Sequence, residues 1–140
     1  MNEEQILKEA KHILNMAPFL TEKFSQHPQL GRIKPENILI EVLKFLNLIY
    51  GSNRTLTPSL PVDLAWHEFI LCTRLYTKFC NEHFGRYIHH SPGGTQSDNN
   101  EQFKKTIQLY ILHYGQPDRD AWGDWADEQW SDAQCGSCSS

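Results

Sequence analysis

No apolar run in this sequence approaches the roughly 18 residues needed to span a bilayer. The longest, Ile38–Tyr50, is broken by Glu41, Lys44 and Asn47. The opening stretch, MNEEQILKEAKHILN, is acidic and amphipathic and lacks the basic start and apolar stretch of a secretory leader. Basic residues are in the minority: 13 Lys and Arg against 17 Asp and Glu leave a formal charge of −4. That balance supplies no cationic face for a nucleic-acid backbone. Sustained apolar–polar alternation is missing, as are Asn-Gly and Asp-Gly hairpins, so strands are not expected. There is no Gly-x-Ser-x-Gly, and Gly93-Gly94 has neither a preceding strand nor a following Lys-Ser/Thr to make a phosphate loop. These absences argue against a membrane or nucleic-acid partner and point to a cytoplasmic chain, with no reaction class declared. The four cysteines need no bridges in a reducing compartment, and Cys72 and Cys80, two helical turns apart, are too distant to pair with each other.

What is present suits one helical domain. The chain has 140 residues, 39% hydrophobic and 11% aromatic, enough for a single packed core. Ile6, Ala10, Ile13 and Leu14 recur at helical spacing over Glu3–Asn15, with Asn2 as the N-cap. A short apolar segment follows at Pro18–Gln26, then a loop at His27–Lys34. Pro35 suits the first position of a helix that runs to about Tyr50, apolar on most sides and stopped by Gly51-Ser52-Asn53. After the rigid connector Thr55–Pro61, one long helix is expected near residues 60–84, ended by Gly85. Arg86–Asn99 reads as a mobile loop, and Asp98 or Asn99 as the cap of a helix through Tyr114 that ends at Gly115. Trp122, Trp125 and Trp130 mark a last segment able to dock on the core. The expected fold is all-α: a compact bundle of about five helices around the long one, with a single domain over 1–130 and a disordered tail at 131–140.

At about 100° per residue the long helix has two sides. Val62, Ala65, Phe69, Cys72, Tyr76, Phe79, Cys80 and His83 gather on a core side. Asp63, His67, Arg74, Lys78 and Asn81 gather on the other, interrupted by Ile70 and Leu71. Asp63 and His67, four apart, are neighbours across one turn. They form a local hydrogen bond, or else half of a metal site or an oriented acid–base pair. A metal, zinc or another divalent transition ion, needs a third ligand, for which His89 or His90 is placed once the chain turns at Gly85. The return is tight. His67 to Phe84 spans about 25 Å of straight helix, and the six residues to His90 recover about 20 Å. A weaker local grouping joins Cys80 and His83 to the same histidine pair, although a buried cysteine is ordinarily inert. Cys135-x-x-Cys138 lies in a polar tail, without the strand and helix of a thioredoxin-like motif.

From Pro58 to Pro92 the pattern Asp63-x-x-Trp66-His67, Tyr76-x-x-Phe79-Cys80 and His89-His90-x-Pro92 resembles the glycine-rich domain-containing protein-like family of bacteria and plants. The resemblance is dense over about 35 residues and implies correspondence of position, because no catalytic activity is established for that family. Plant relatives often carry His-x-His where this chain has His67-Glu68-Phe69, so the second imidazole is missing. The long Gly/Cys-rich tails of relatives are reduced here to Cys135-Gly136-Ser137-Cys138.

The leading reading is a small intracellular binding or adaptor module for a protein partner. Trp66 and Arg74 would be partner contacts, and Asp63, His67, His89 and His90 a site that can hold a metal. The competing reading is a metal-dependent or acid–base enzyme using Asp63, His67 and His90. The third is a carrier for a modifiable tail through Cys135 and Cys138. Partner identity and oligomeric state are not legible.

Overall fold

Helix α1 (Glu3–Met16) begins where the first polar–apolar pattern does, and Asn2 closes its first turn reciprocally. The Asn2 side chain accepts from the Gln5 N–H at 2.8 Å while the Asn2 N–H donates to the Gln5 side chain at 2.9 Å. In the computed structural model, which describes residues 1–90 and 96–123, α1 is followed by α2 (Phe19–Ser25) and a 3-10 turn at Pro28–Leu30. Then come α3 (Pro35–Ser52), α4 (Leu60–Leu71), α5 (Thr73–Phe84), α6 (Gln96–Tyr114) and α7 (Arg119–Trp122). No strand occurs among the described residues, so the chain is all-α with a few more helices than expected. None of these helices is long and apolar enough to cross a membrane.

The centre is α3, packed against α1, α2, α4 and α6. Ile38, Leu39, Val42, Leu43, Phe45 and Leu46 are fully shielded, each contributing about 1.5–3 kcal/mol by burial. Gly51 stays helical; the stop is Asn53, in the left-handed region at φ 52°, whose N–H bonds back to Ile49. On the same helix sits a charge that hydropathy marks as an interruption. Glu41 is 9% exposed, and its Oε1 accepts from the Tyr110 hydroxyl at 2.6 Å and the Trp122 indole N–H at 2.8 Å. Lys44 lies 3.8 Å from the other oxygen and over the rings of Tyr110 and Tyr114. This carboxylate ties α6 and α7 to α3, and Trp122 docks as the final segment was expected to. Trp125, Trp130, Cys135, Cys138 and the predicted tail lie outside the described residues.

The single long helix over 60–84 is corrected to two. Cys72, at φ −83° and ψ 67°, leaves the helical region; its N–H bonds to Phe69 at 3.0 Å, and α5 starts on its carbonyl. No glycine or proline marks the break, so its cause is tertiary. Ten residues of straight helix separate two side chains by about 15 Å, yet Phe69 and Phe79 have ring centroids 5.6 Å apart, and Phe69 meets Tyr76 edge-on at 5.0 Å. Folding α5 back lets these rings cover one another, which compensates for one lost helical hydrogen bond. Helix α6 also starts at Gln96, ahead of the expected caps Asp98 and Asn99.

Candidate functional site

Helix α4 is anchored at its first turn. Ser59 caps it by accepting from the Val62 N–H at 3.3 Å, and its hydroxyl donates to the Ala121 carbonyl at 2.5 Å. The preceding connector is pinned to α6, where Thr57 bonds Gln102 and Thr106 bonds the Thr57 carbonyl, both at 2.9 Å. Asp63 therefore stands on a fixed turn.

The returning chain is held as firmly. Gly85 takes the left-handed φ of 69° that turns it after α5. Ile88 then enters the core at 2% exposure. Its carbonyl accepts from the Tyr76 hydroxyl at 2.5 Å, and that hydroxyl accepts from the Trp66 indole N–H at 3.0 Å. Burial pushes the Tyr76 hydroxyl far above the ordinary tyrosine range, outweighing the opposing Trp66 hydrogen bond, so it stays protonated as the donor to Ile88. Two residues on, the His90 Nε2 and Asp63 Oδ1 are hydrogen-bonded, and the His90 ring lies against Trp66 at 4.4 Å and 41°. The break at Cys72 closes the gap that a straight helix leaves, because α5 doubles back and shortens the return.

The remaining expected residues divide. His67 is exposed, with its ring 6.4 Å from that of His90. It has no hydrogen bond to Asp63 among the described residues, so the anticipated local pair is replaced by the long-range one. His89, also exposed, packs at a tilt on Tyr87, ring centroids 4.5 Å apart, rather than joining Asp63. Among the described residues no group of three or more His, Cys, Asp or Glu side chains is arranged to hold a metal ion.

The weaker grouping at Cys80 does not assemble. Cys80 is fully buried, and desolvation raises its thiol pKa. His83 leaves it for Glu9, 3.2 Å away on α1, and packs on Phe79. Trp66, expected to meet a partner, is 4% exposed. Phe45 covers its ring at 5.4 Å on one side, and its N–H is spent on Tyr76. Arg74 is exposed elsewhere, beside Met16 and Phe19, so the two share no surface.

Around the Asp63–His90 pair opens a cleft of ≈ 1170 Å³. Its walls come from the end of α3, the connector after Asn53, the first turns of α4, the 86–90 segment and the start of α6. Arg54, Arg86 and Tyr87 line it and were not foreseen, because nothing in their local sequence sets them apart. His27, in the expected loop, bonds Glu68 through its Nε2 at 2.8 Å and holds that loop against α4.

A family model described as UCP032817-like matches residues 3–116. It overturns the resemblance to the glycine-rich domain-containing protein-like family, which rested on about 35 residues around the α4–α5 pair. No curated protein and no solved structure matches the chain.

Proposed function

The chain belongs to the UCP032817-like family, and on that premise we propose that it is a small helical binding module that receives a segment of a protein partner in the cleft beside Asp63 and His90. The observation that carries this reading is the cleft itself. Ligand sites run to about 300–1,000 Å³, and the ≈ 1170 Å³ here has room for a short extended peptide. Its components are preorganised by the Ser59 cap, the connector bonds and the Trp66–Tyr76–Ile88 chain. A rigid site loses less entropy on binding. Leu60, 55% exposed, is an apolar contact on the rim. A photo-crosslinking amino acid at position 89 should capture a partner that the same group at Lys78, outside the cleft, does not. Leu60→Asp should abolish that capture. Equal capture from both positions, or none from position 89, would reject the cleft as the interface.

A second reading has one observation in its favour, the 6.4 Å between the His67 and His90 rings next to Asp63. Here His67 would turn inward to join His90 and Asp63 around a zinc-like divalent ion, an arrangement the three side chains do not have as they stand; the ion would brace the returning segment or, in an enzyme, polarise a bound group. Calorimetric zinc titration of untagged protein tests it. One equivalent bound, lost in His67→Ala and kept in His89→Ala, is expected; no saturable binding rejects it.

A further inference from the structure

We infer that the segment received by the cleft is anionic, its carboxylate or phosphate oxygens held by Arg54 and Arg86; this rests on the cleft being the binding site. The lining carries two arginines, two histidines and one acid, Asp63. That acid is already engaged by His90. With two arginines against that one acid the cleft is locally cationic, opposite in sign to the chain's net charge of −4.

Neither Arg54 nor Arg86 forms an ion pair among the described residues, and both are exposed on the cleft wall. A guanidinium presents a planar fork of N–H donors that matches carboxylate and phosphate oxygens two at a time. Two such forks in one cleft, from the connector and from the 86–90 segment, would draw in an anionic group and then fix its orientation. Ile49, Leu56 and Leu60 on the same walls add apolar contact that a bare ion could not use. The Tyr87 and His89 rings, 4.5 Å apart and tilted by 55°, add aromatic contact on the flank. Acidic residues interspersed with an apolar one fit this lining best.

The contrast with the basic residues of α5 supports the choice. Lys78 lies 3.8 Å from Glu82 on its own helix and faces a different groove, so it serves as the control cation.

The test uses the full chain and three probes: an acetylated Glu-Glu-Leu-Glu-Glu peptide, its Gln-Gln-Leu-Gln-Gln counterpart, and inorganic phosphate. Binding is read by calorimetry and by amide chemical shifts at low and high salt. The Glu peptide should bind saturably, at least tenfold tighter than the Gln peptide, with shifts at residues 54–60 and 86–90. Arg54→Gln combined with Arg86→Gln should weaken it at least tenfold, while Lys78→Gln leaves it unchanged. Raising the salt should weaken it as well, since exposed charge pairs are screened. Competition by inorganic phosphate at the same residues would extend the clamp to phosphorylated segments. No saturable binding of the Glu peptide, equal binding of the two peptides, or an equal loss in Lys78→Gln overturns the inference. Those outcomes leave the cleft reading intact, because that reading stands or falls on crosslinking from position 89.

Discussion

Replacing Tyr76 by Phe removes one oxygen atom and, with it, both hydrogen bonds that join α4, α5 and the 86–90 segment. In the native chain that oxygen donates to the Ile88 carbonyl at 2.5 Å and accepts from the Trp66 N–H at 3.0 Å. Tyr76 is 0% exposed, Ile88 2% and Trp66 4%, so water cannot reach in to replace it. Leaving a buried donor or acceptor unpaired costs about 1–3 kcal/mol each. The ring itself stays and keeps its edge contacts with Phe69 and Tyr87, so no cavity term is added. The expected loss from the two groups is therefore about 2–6 kcal/mol, read as a lower urea midpoint at unchanged slope. The loss should also be local. Amide exchange at Ile88 and His90 should rise more than at Leu43 or Leu46 in α3, because Ile88 bonds the deleted oxygen and His90 follows two residues on. A loss below about 0.5 kcal/mol, or exchange rising equally everywhere, would refute the claim that this hydroxyl positions His90 against Asp63.

Two further outcomes follow from the core. Glu41→Leu strands the Tyr110 hydroxyl and the Trp122 N–H and should cost about 2–6 kcal/mol, whereas Glu41→Gln keeps an acceptor and should cost less than half as much; chemical unfolding of the two variants compares them directly, and equal losses would deny the carboxylate its anchoring role. Stability should also fall in alkali. Burial raises the pKa of Tyr76, and of Tyr110, whose neighbour Glu41 adds to the shift. Above the unfolded value near 10, the unfolded chain therefore binds fewer protons than the folded one, and each such tyrosine removes about 1.4 kcal/mol per pH unit. Melts from pH 8 to 11 should show the decline, with a shallower slope in Tyr76→Phe.

Much of the fold was legible because its signals are local. The Asn2 cap, the Pro35 start, the buried α3, the left-handed Gly85 and the docking of Trp122 each follow from a residue type at a spacing that elementary helix chemistry decides. The break at Cys72 was not, since Leu71-Cys72-Thr73 carries no residue that ends a helix. Glu41 read as an interruption of an apolar run because its two partners, Tyr110 and Trp122, come from α6 and α7, far along the chain.

The candidate site divides along the same line. That the histidine pair turns back toward Asp63 could be argued from the turn at Gly85, although the length of a straight helix left the return about 5 Å short. Which histidine arrives was decided by Tyr76 gripping Ile88, which sends His90 to Asp63 and leaves His89 on Tyr87. Arg54 and Arg86, 32 positions apart in the sequence, share a cleft only because α4 and α5 fold back on each other. Helix signals act within a few residues and so survive in one dimension. A cleft is made of side chains whose separation along the chain says nothing about their separation in space.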